Sequence, residues 1–216
     1  MKFKEMNLPN KLTTIRMICV PIVIILFVFT NLYKRLNVPV DLKLFYQSDS
    51  SYLTLDQLLI VVIFAFASIT DYFDGKIARK NNLVSEYGKL MDPLADKLLV
   101  NTTIILMFAS SMYFIGSESF IPFEIFAITL SVLTIARDIF VDALRMQALK
   151  KGKVVAASIW GKLKTATLMP GIVILLLGSI HPIIFATGLA LMSIGSIFAI
   201  IGGIVYFNEM KEFINE

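Results

Sequence analysis

Long apolar runs separated by short polar breaks dominate this chain. A helix needs about 20 mostly apolar residues to cross a bilayer, and six segments reach that length: 12–32, 56–79, 87–115, 122–149, 154–179 and 183–207. The count of six treats the charged ends of the second and third segments as embedded. Pro21 predicts a kink in the first helix. The polar stretch 33–55, with Gln47-Ser-Asp-Ser-Ser51 inside it, predicts an extramembrane loop. Gly116-Ser-Glu-Ser119 and His181-Pro182 predict tight turns, and neither needs the lone histidine as a base. On the last segment Gly188, Gly195 and Gly202 recur every seven residues, a small-residue stripe that would let another helix approach closely.

The composition agrees with this pattern. The 216 residues are 57% hydrophobic, and the mean hydropathy is +0.78. A water-soluble domain has no use for that much apolar surface. The reading is an all-α integral membrane protein forming one transmembrane domain over 1–216, with 1–11 as a juxtamembrane segment. The first apolar run is too long for a signal-peptide core and meets no small-residue cleavage site, so it reads as an uncleaved first span. Cys19, alone and within an apolar run, excludes an intrachain disulfide and reads as packing. Of the 20 Lys and Arg residues, only Lys34, Arg35 and Lys43 fall on the outer side when the amino terminus is inside. That bias predicts both termini in the cytoplasm.

Charges intrude into the inner halves of the middle helices. They are Asp71, Asp74, Asp92, Asp96, Arg137, Asp138, Asp142, Arg145, Lys162 and Lys164. Each would cost about 2.5 to 3.5 kcal/mol at the centre of a lipid-facing helix. They are therefore expected to line one polar cavity open to the cytoplasm. Asp71 and Asp74 are i,i+3 neighbours, and Asp92 and Asp96 are i,i+4 neighbours, so each pair shares a helix face. The eight residues 80–87 could turn the chain and bring the pairs together. Four clustered carboxylates repel one another unless cations neutralise them, and oxygen donors suit Mg²⁺ or Mn²⁺.

The residues from Asp71 to Asp96 fit D-x2-D-G-x2-A-R-x8-G-x3-D-x3-D at every fixed position. The stretch resembles the signature of the CDP-alcohol phosphatidyltransferases, membrane enzymes of phospholipid synthesis, and implies their fold. Asp71, Asp74 and Asp92, with Asp96 assisting, would hold the divalent ions, and two such ions could clamp a diphosphate during an in-line displacement. Gly75 and Gly88 would let the backbone approach a nucleotide or phosphate. Arg79, one turn past Asp74, could grip phosphate oxygens. No Ser, Cys or His stands beside a base as a covalent nucleophile requires, which leaves direct attack by an alcohol with one carboxylate taking its proton. The resemblance implies that Asp96 is this base. It also implies that Asp71, Gly75, Ala78, Arg79 and Gly88 surround the CDP-lipid, and that CMP is displaced from CDP-diacylglycerol.

Arg137 and Arg145 on the fourth segment, with Lys162 and Lys164 on the fifth, suggest an anionic acceptor such as a phosphate monoester. For Arg137, an internal salt bridge with Asp138 is the competing reading. For Lys162 and Lys164, it is anchoring to anionic lipid. Four stretches extend the resemblance to the bacterial branch of the family that uses glycerol 3-phosphate: Asn7-Leu-Pro-Asn-Lys-Leu-Thr13-Thr-Ile-Arg16, Leu90-Met-Asp-Pro-Leu-Ala-Asp-Lys97, Ala136-Arg-Asp-Ile-Phe-Val-Asp-Ala-Leu-Arg145 and Ala156-Ala-Ser-Ile-Trp-Gly-Lys-Leu-Lys-Thr165. Asp138 stands where that branch usually has Glu, and Leu168 where it usually has Gln. The implied partners are CDP-diacylglycerol, glycerol 3-phosphate, membrane lipids and a second copy of the chain, with no nucleic acid. The implied setting is a bacterial plasma membrane with the site facing the cytoplasm. Phosphatidylglycerol as acceptor, giving cardiolipin, is the nearest alternative. A divalent-cation transporter is a remote one, since its site would sit at the midplane between repeated halves.

Overall fold

A computed structural model describes residues 6–36, 43–48, 51–80, 86–110, 121–150 and 158–214. The side chains at 33–35, 43–52, 72–80, 86, 89–90, 110, 121–124, 149–150 and 212–214 lie outside that description. The first helix, α1, spans Leu8–Arg35 and starts four residues before its apolar run. Asn7 is the reason. Its side-chain oxygen accepts the Asn10 N–H at 3.3 Å, and its carbonyl accepts the Lys11 N–H at 3.1 Å, which caps the helix. Pro9 falls in the first turn, where a missing N–H removes no helical bond.

The polar stretch between the first two helices, expected to be a loop, contains two paired strands. Strand β1 (Lys43–Ser48) pairs antiparallel with β2 (Ser51–Thr54), with Tyr46 opposite Tyr52 and irregularities on either side. The all-α expectation is corrected to this extent. Strand β2 runs directly into α2 (Leu55–Lys80). Thr54 and Gln57 form a capping box there: the Gln57 Oε1 accepts the Thr54 N–H at 2.9 Å and its hydroxyl at 3.0 Å. Asp56 adds a negative charge to the first turn, where the helix dipole favours it.

The remaining helices are α3 (Glu86–Ser110), α4 (Ile121–Lys150), α5 (Ile159–Leu176) and α6 (Pro182–Ile214). The expected ends at 111–115 and the expected start at 154 lie outside the described residues. Ser158 caps α5, its hydroxyl accepting the Gly161 N–H at 3.2 Å. Helix α5 stops at Leu176 rather than 179, because a turn closed by the Ile180 N–H on the Leu177 carbonyl leads into His181 and Pro182.

Two compact units emerge: Met1–Ile115 with Leu176–Pro182, and Gly116–Leu175 with Ile183–Glu216. In the first, α1 packs against both α2 and α3. The buried face repeats at helical spacing, with Val23 and Phe27, then Ile60, Phe64 and Ala67, then Leu99, Ile104 and Met107. The outer faces keep Ile18, Ile25, Phe29, Val62, Phe66 and Ile105 exposed. Buried hydroxyls turn back onto the carbonyl four residues earlier, as Thr30 does to Leu26 at 2.7 Å and Thr134 to Leu130 at 2.8 Å. That habit satisfies polar groups where water is absent.

In the second unit the glycine stripe sets the packing of α6. A methyl group on Gly188 would lie 2.5 Å from the Leu175 nitrogen, and one on Gly195 would lie 2.9 Å from the Leu168 Cβ. Helix α5 therefore lies directly against the glycine face of α6, closer than any side chain would allow. Among the described residues, three helical stretches are long and apolar enough to cross a membrane: Leu8–Leu32, Ile159–Leu176 and Pro182–Lys211.

Candidate active site

In the first unit, the amino-terminal part of α1 meets both halves of the acidic motif. Arg16 is 1% exposed. Its Nη1 lies 2.7 Å from the Asp71 Oδ1 on α2, and its Nε donates to the Ala67 carbonyl, one turn earlier, at 3.3 Å. Three residues before Arg16 on the same face, the fully buried Thr13 donates to the Asp92 Oδ1 on α3. The next residue, Thr14, pairs with the Tyr87 hydroxyl at 3.1 Å.

Asp71 keeps about a third of its side chain exposed, and it lies in the field of both the Arg16 guanidinium and the Asp92 carboxylate. Asp96 follows one turn after Asp92 and is partly exposed, and Gly88 is buried at the start of α3. The backbone of α2 carries Asp74, Gly75, Ala78 and Arg79, whose side chains lie outside the described residues. The structure therefore brings Asp71 and Asp92 to one helix, while the side chain of Asp74, the fourth expected carboxylate, lies outside the described residues. Among the described residues, no three acidic, histidine or cysteine side chains gather as a ligand set.

The donor chemistry suits a hard divalent cation. Two carboxylates approach from separate helices and repel, and Asp71 is paired with Arg16. Their oxygens are the type that Mg²⁺ or Mn²⁺ prefers.

In the second unit, Asp138 is the centre of the basic group. Its side chain is 5% exposed, and it pairs with Arg137 Nη1 at 3.0 Å and with the Lys164 ammonium of α5. The internal salt bridge foreseen for Arg137 is thus present. The Arg137 side chain runs along α6 at Gly202 and Gly203, where a methyl group on Gly203 would fall 2.7 Å from its Cγ. Those two glycines clear the channel it occupies. Arg145 sits over the Tyr206 ring, 5.6 Å from its centre. Lys162 is exposed. Of the four basic residues expected to bind an acceptor, Arg137 and Lys164 therefore share one carboxylate, and Arg145 and Lys162 stand apart from it.

From the sequence, Arg16 is one of the cytoplasmic-side charges and the end of a stretch that carries the resemblance, and Thr13, Thr14 and Tyr87 have no assigned role. A signal was available. An arginine inside the start of an apolar run, three residues after a threonine, demands a buried partner.

The model of the CDP-alcohol phosphatidyltransferase family matches residues 6–201 of the chain. The chain belongs to the CDP-alcohol phosphatidyltransferase family. It is 31% identical over 208 residues to a CDP-diacylglycerol–glycerol-3-phosphate 3-phosphatidyltransferase of Bacillus subtilis, covering 95% of this chain and 96% of that protein. Proteins of the same name from Rickettsia bellii and Rickettsia prowazekii are 35% and 34% identical, over 217 and 213 residues. The Rickettsia bellii match covers 99% of both chains, and the Rickettsia prowazekii match 97% of this chain and 98% of the other. Within this CDP-alcohol phosphatidyltransferase, the matched span runs from before the cap of α1 to Ile201 within α6. It takes in every site residue named above except Gly202, Gly203 and Tyr206.

Proposed function

We propose that this chain transfers the phosphatidyl group of CDP-diacylglycerol to glycerol 3-phosphate, releasing CMP and forming phosphatidylglycerophosphate. The observation that carries this reading is the meeting of Asp71 and Asp92, from the two halves of the family motif, on one face of α1. Near-full-length likeness to relatives named for this reaction supports the choice of acceptor.

In this reading Asp71, Asp74 and Asp92, with Asp96 at the edge, hold one or two Mg²⁺ or Mn²⁺ ions. When bound, such ions withdraw charge from the diphosphate and stabilise the departing CMP. Asp96 accepts the proton of the glycerol hydroxyl as its oxygen attacks the phosphorus that bears diacylglycerol. The bond from that phosphorus to the CMP oxygen breaks, and the new phosphodiester keeps both glyceryl groups. Gly75, Ala78, Arg79 and Gly88 line the nucleotide side. Arg137 and Lys164, with Arg145 and Lys162, supply positive charge for the phosphate of the acceptor. The chain crosses a bacterial plasma membrane six times as a homodimer, with both termini and the site on the cytoplasmic side.

Purified protein assayed for CMP release decides the acceptor. Release with glycerol 3-phosphate, dependent on Mg²⁺ or Mn²⁺, is the expected result. Release with phosphatidylglycerol and none with glycerol 3-phosphate would reassign the chain to cardiolipin synthesis.

A further inference from the structure

We propose that the inner turns of α1 belong to the reaction machinery, with Arg16 and Thr13 as positioning residues that hold Asp71 and Asp92 ready for a cation. The inference rests on the reading that those two carboxylates bind the metal. Its basis is the geometry of one helix face. Arg16 and Thr13 are i,i+3 neighbours, both essentially without exposure, and each reaches a carboxylate on a different helix.

Arg16 holds more than a charge partner. Its planar fork takes the Asp71 side chain with Nη1 and the Ala67 carbonyl with Nε. Ala67 and Asp71 are four residues apart, so the fork reads the backbone and the side chain of a single turn of α2. The same Ala67 carbonyl also accepts the Thr70 hydroxyl at 2.9 Å. A guanidinium tethered to the backbone through Nε holds its charge at a set point beside the carboxylate, which a flexible ammonium would not do. Thr13 does the equivalent for α3, sharing its single proton between the Pro9 carbonyl at 3.1 Å and the Asp92 carboxylate. Asp71 is meanwhile left about one-third exposed.

Electrostatics and positioning make opposite forecasts. A cation beside the site repels an incoming Mn²⁺, so if Arg16 acted only through its charge, removing it would tighten metal binding. If Arg16 orients Asp71, removing it weakens binding, and partners that orient metal ligands typically contribute about 10–100-fold in affinity. Mn²⁺ affinity is measured from free Mn²⁺ by electron paramagnetic resonance, on the full chain in lipid nanodiscs, with thermal unfolding recorded for every variant. Arg16→Gln is expected to weaken Mn²⁺ binding at least tenfold, and Arg16→Lys to restore part of the loss. Thr13→Val, which removes only the hydroxyl, is expected to weaken binding, and Thr13→Ser to leave it near that of the parent.

Unchanged or tighter Mn²⁺ binding in a folded Arg16→Gln protein, with binding lost in Asp71→Asn, would overturn the positioning role alone. Unchanged binding in Asp71→Asn would overturn the metal assignment beneath it. If Arg16→Gln does not fold, Thr13→Val decides, and parent-like affinity there refutes the proposal.

Discussion

Replacing Asp138 with asparagine tests the basic group at its centre. Asp138, Arg137 and Lys164 are 5%, 16% and 15% exposed, so water screens their interaction little. Each carboxylate oxygen has its own cation, Oδ1 taking Arg137 and Oδ2 taking Lys164. Asparagine keeps one acceptor oxygen and turns an NH₂ toward the other cation, so one of the two is left buried and facing a donor. Removing one partner from a buried ion pair costs about 3–5 kcal/mol, chiefly from the stranded charge. At about 2–4 °C per kcal/mol for a chain of this size, the lower bound corresponds to a fall of about 6–12 °C in the thermal midpoint. The assay is thermal unfolding in nanodiscs of the parent, Asp138→Asn, Lys164→Met and the double variant. The double variant should lose less than the sum of the singles, because neutralising Lys164 removes the charge that Asp138→Asn strands. A loss below about 1 kcal/mol for Asp138→Asn is what an exposed surface pair would give, and it would refute the claim that this triad is a buried unit.

Three further outcomes are expected. Gly188→Val should destabilise the chain by about 1–3 kcal/mol through overpacking against the Leu175 backbone, read as a lower thermal midpoint; an unchanged midpoint would mean α5 and α6 do not touch there. Gln57→Ala should cost about 0.5–2 kcal/mol by opening the cap of α2, checked by hydrogen exchange at its first turn. Asp96→Asn should abolish CMP release while CDP-diacylglycerol still binds, whereas Asp71→Asn and Asp92→Asn should weaken metal-dependent binding itself; equal binding loss in all three would make Asp96 chiefly a ligand.

The helices were legible because a bilayer-length apolar run is the strongest signal a sequence carries, and the motif was legible because its spacing is rigid. Helix starts were less so. Asn7 and Ser158 place them through side-chain bonds to the backbone, and hydropathy does not register such bonds. The β1–β2 hairpin escaped notice because short strands in a polar stretch have no long period to read. The glycine stripe on α6 was visible, but only coordinates show that Leu175, Leu168 and Trp160 fill it. The pairing of Arg16 with Asp71 joins residues 55 positions apart. Nothing local to either side chain states that link, although the oddity of an arginine within an apolar run hinted at it.

The first two helices are fastened together twice. Thr30 of α1 bonds Asp56 of α2 near one end, and Arg16 of α1 grips Asp71 of α2 near the other. The fastenings are 14 residues apart on α1 and 15 on α2, a span of about 21 to 23 Å on each at 1.5 Å per residue. With nearly equal intervals and two rivets, neither rod can slide along the other without breaking both. The height at which the Asp71 carboxylate sits is therefore dictated from the far side, by the hairpin and cap that seat the start of α2. A one-residue deletion between Asp56 and Asp71 would rotate that carboxylate by about 100° around its rod, out of reach of its anchor.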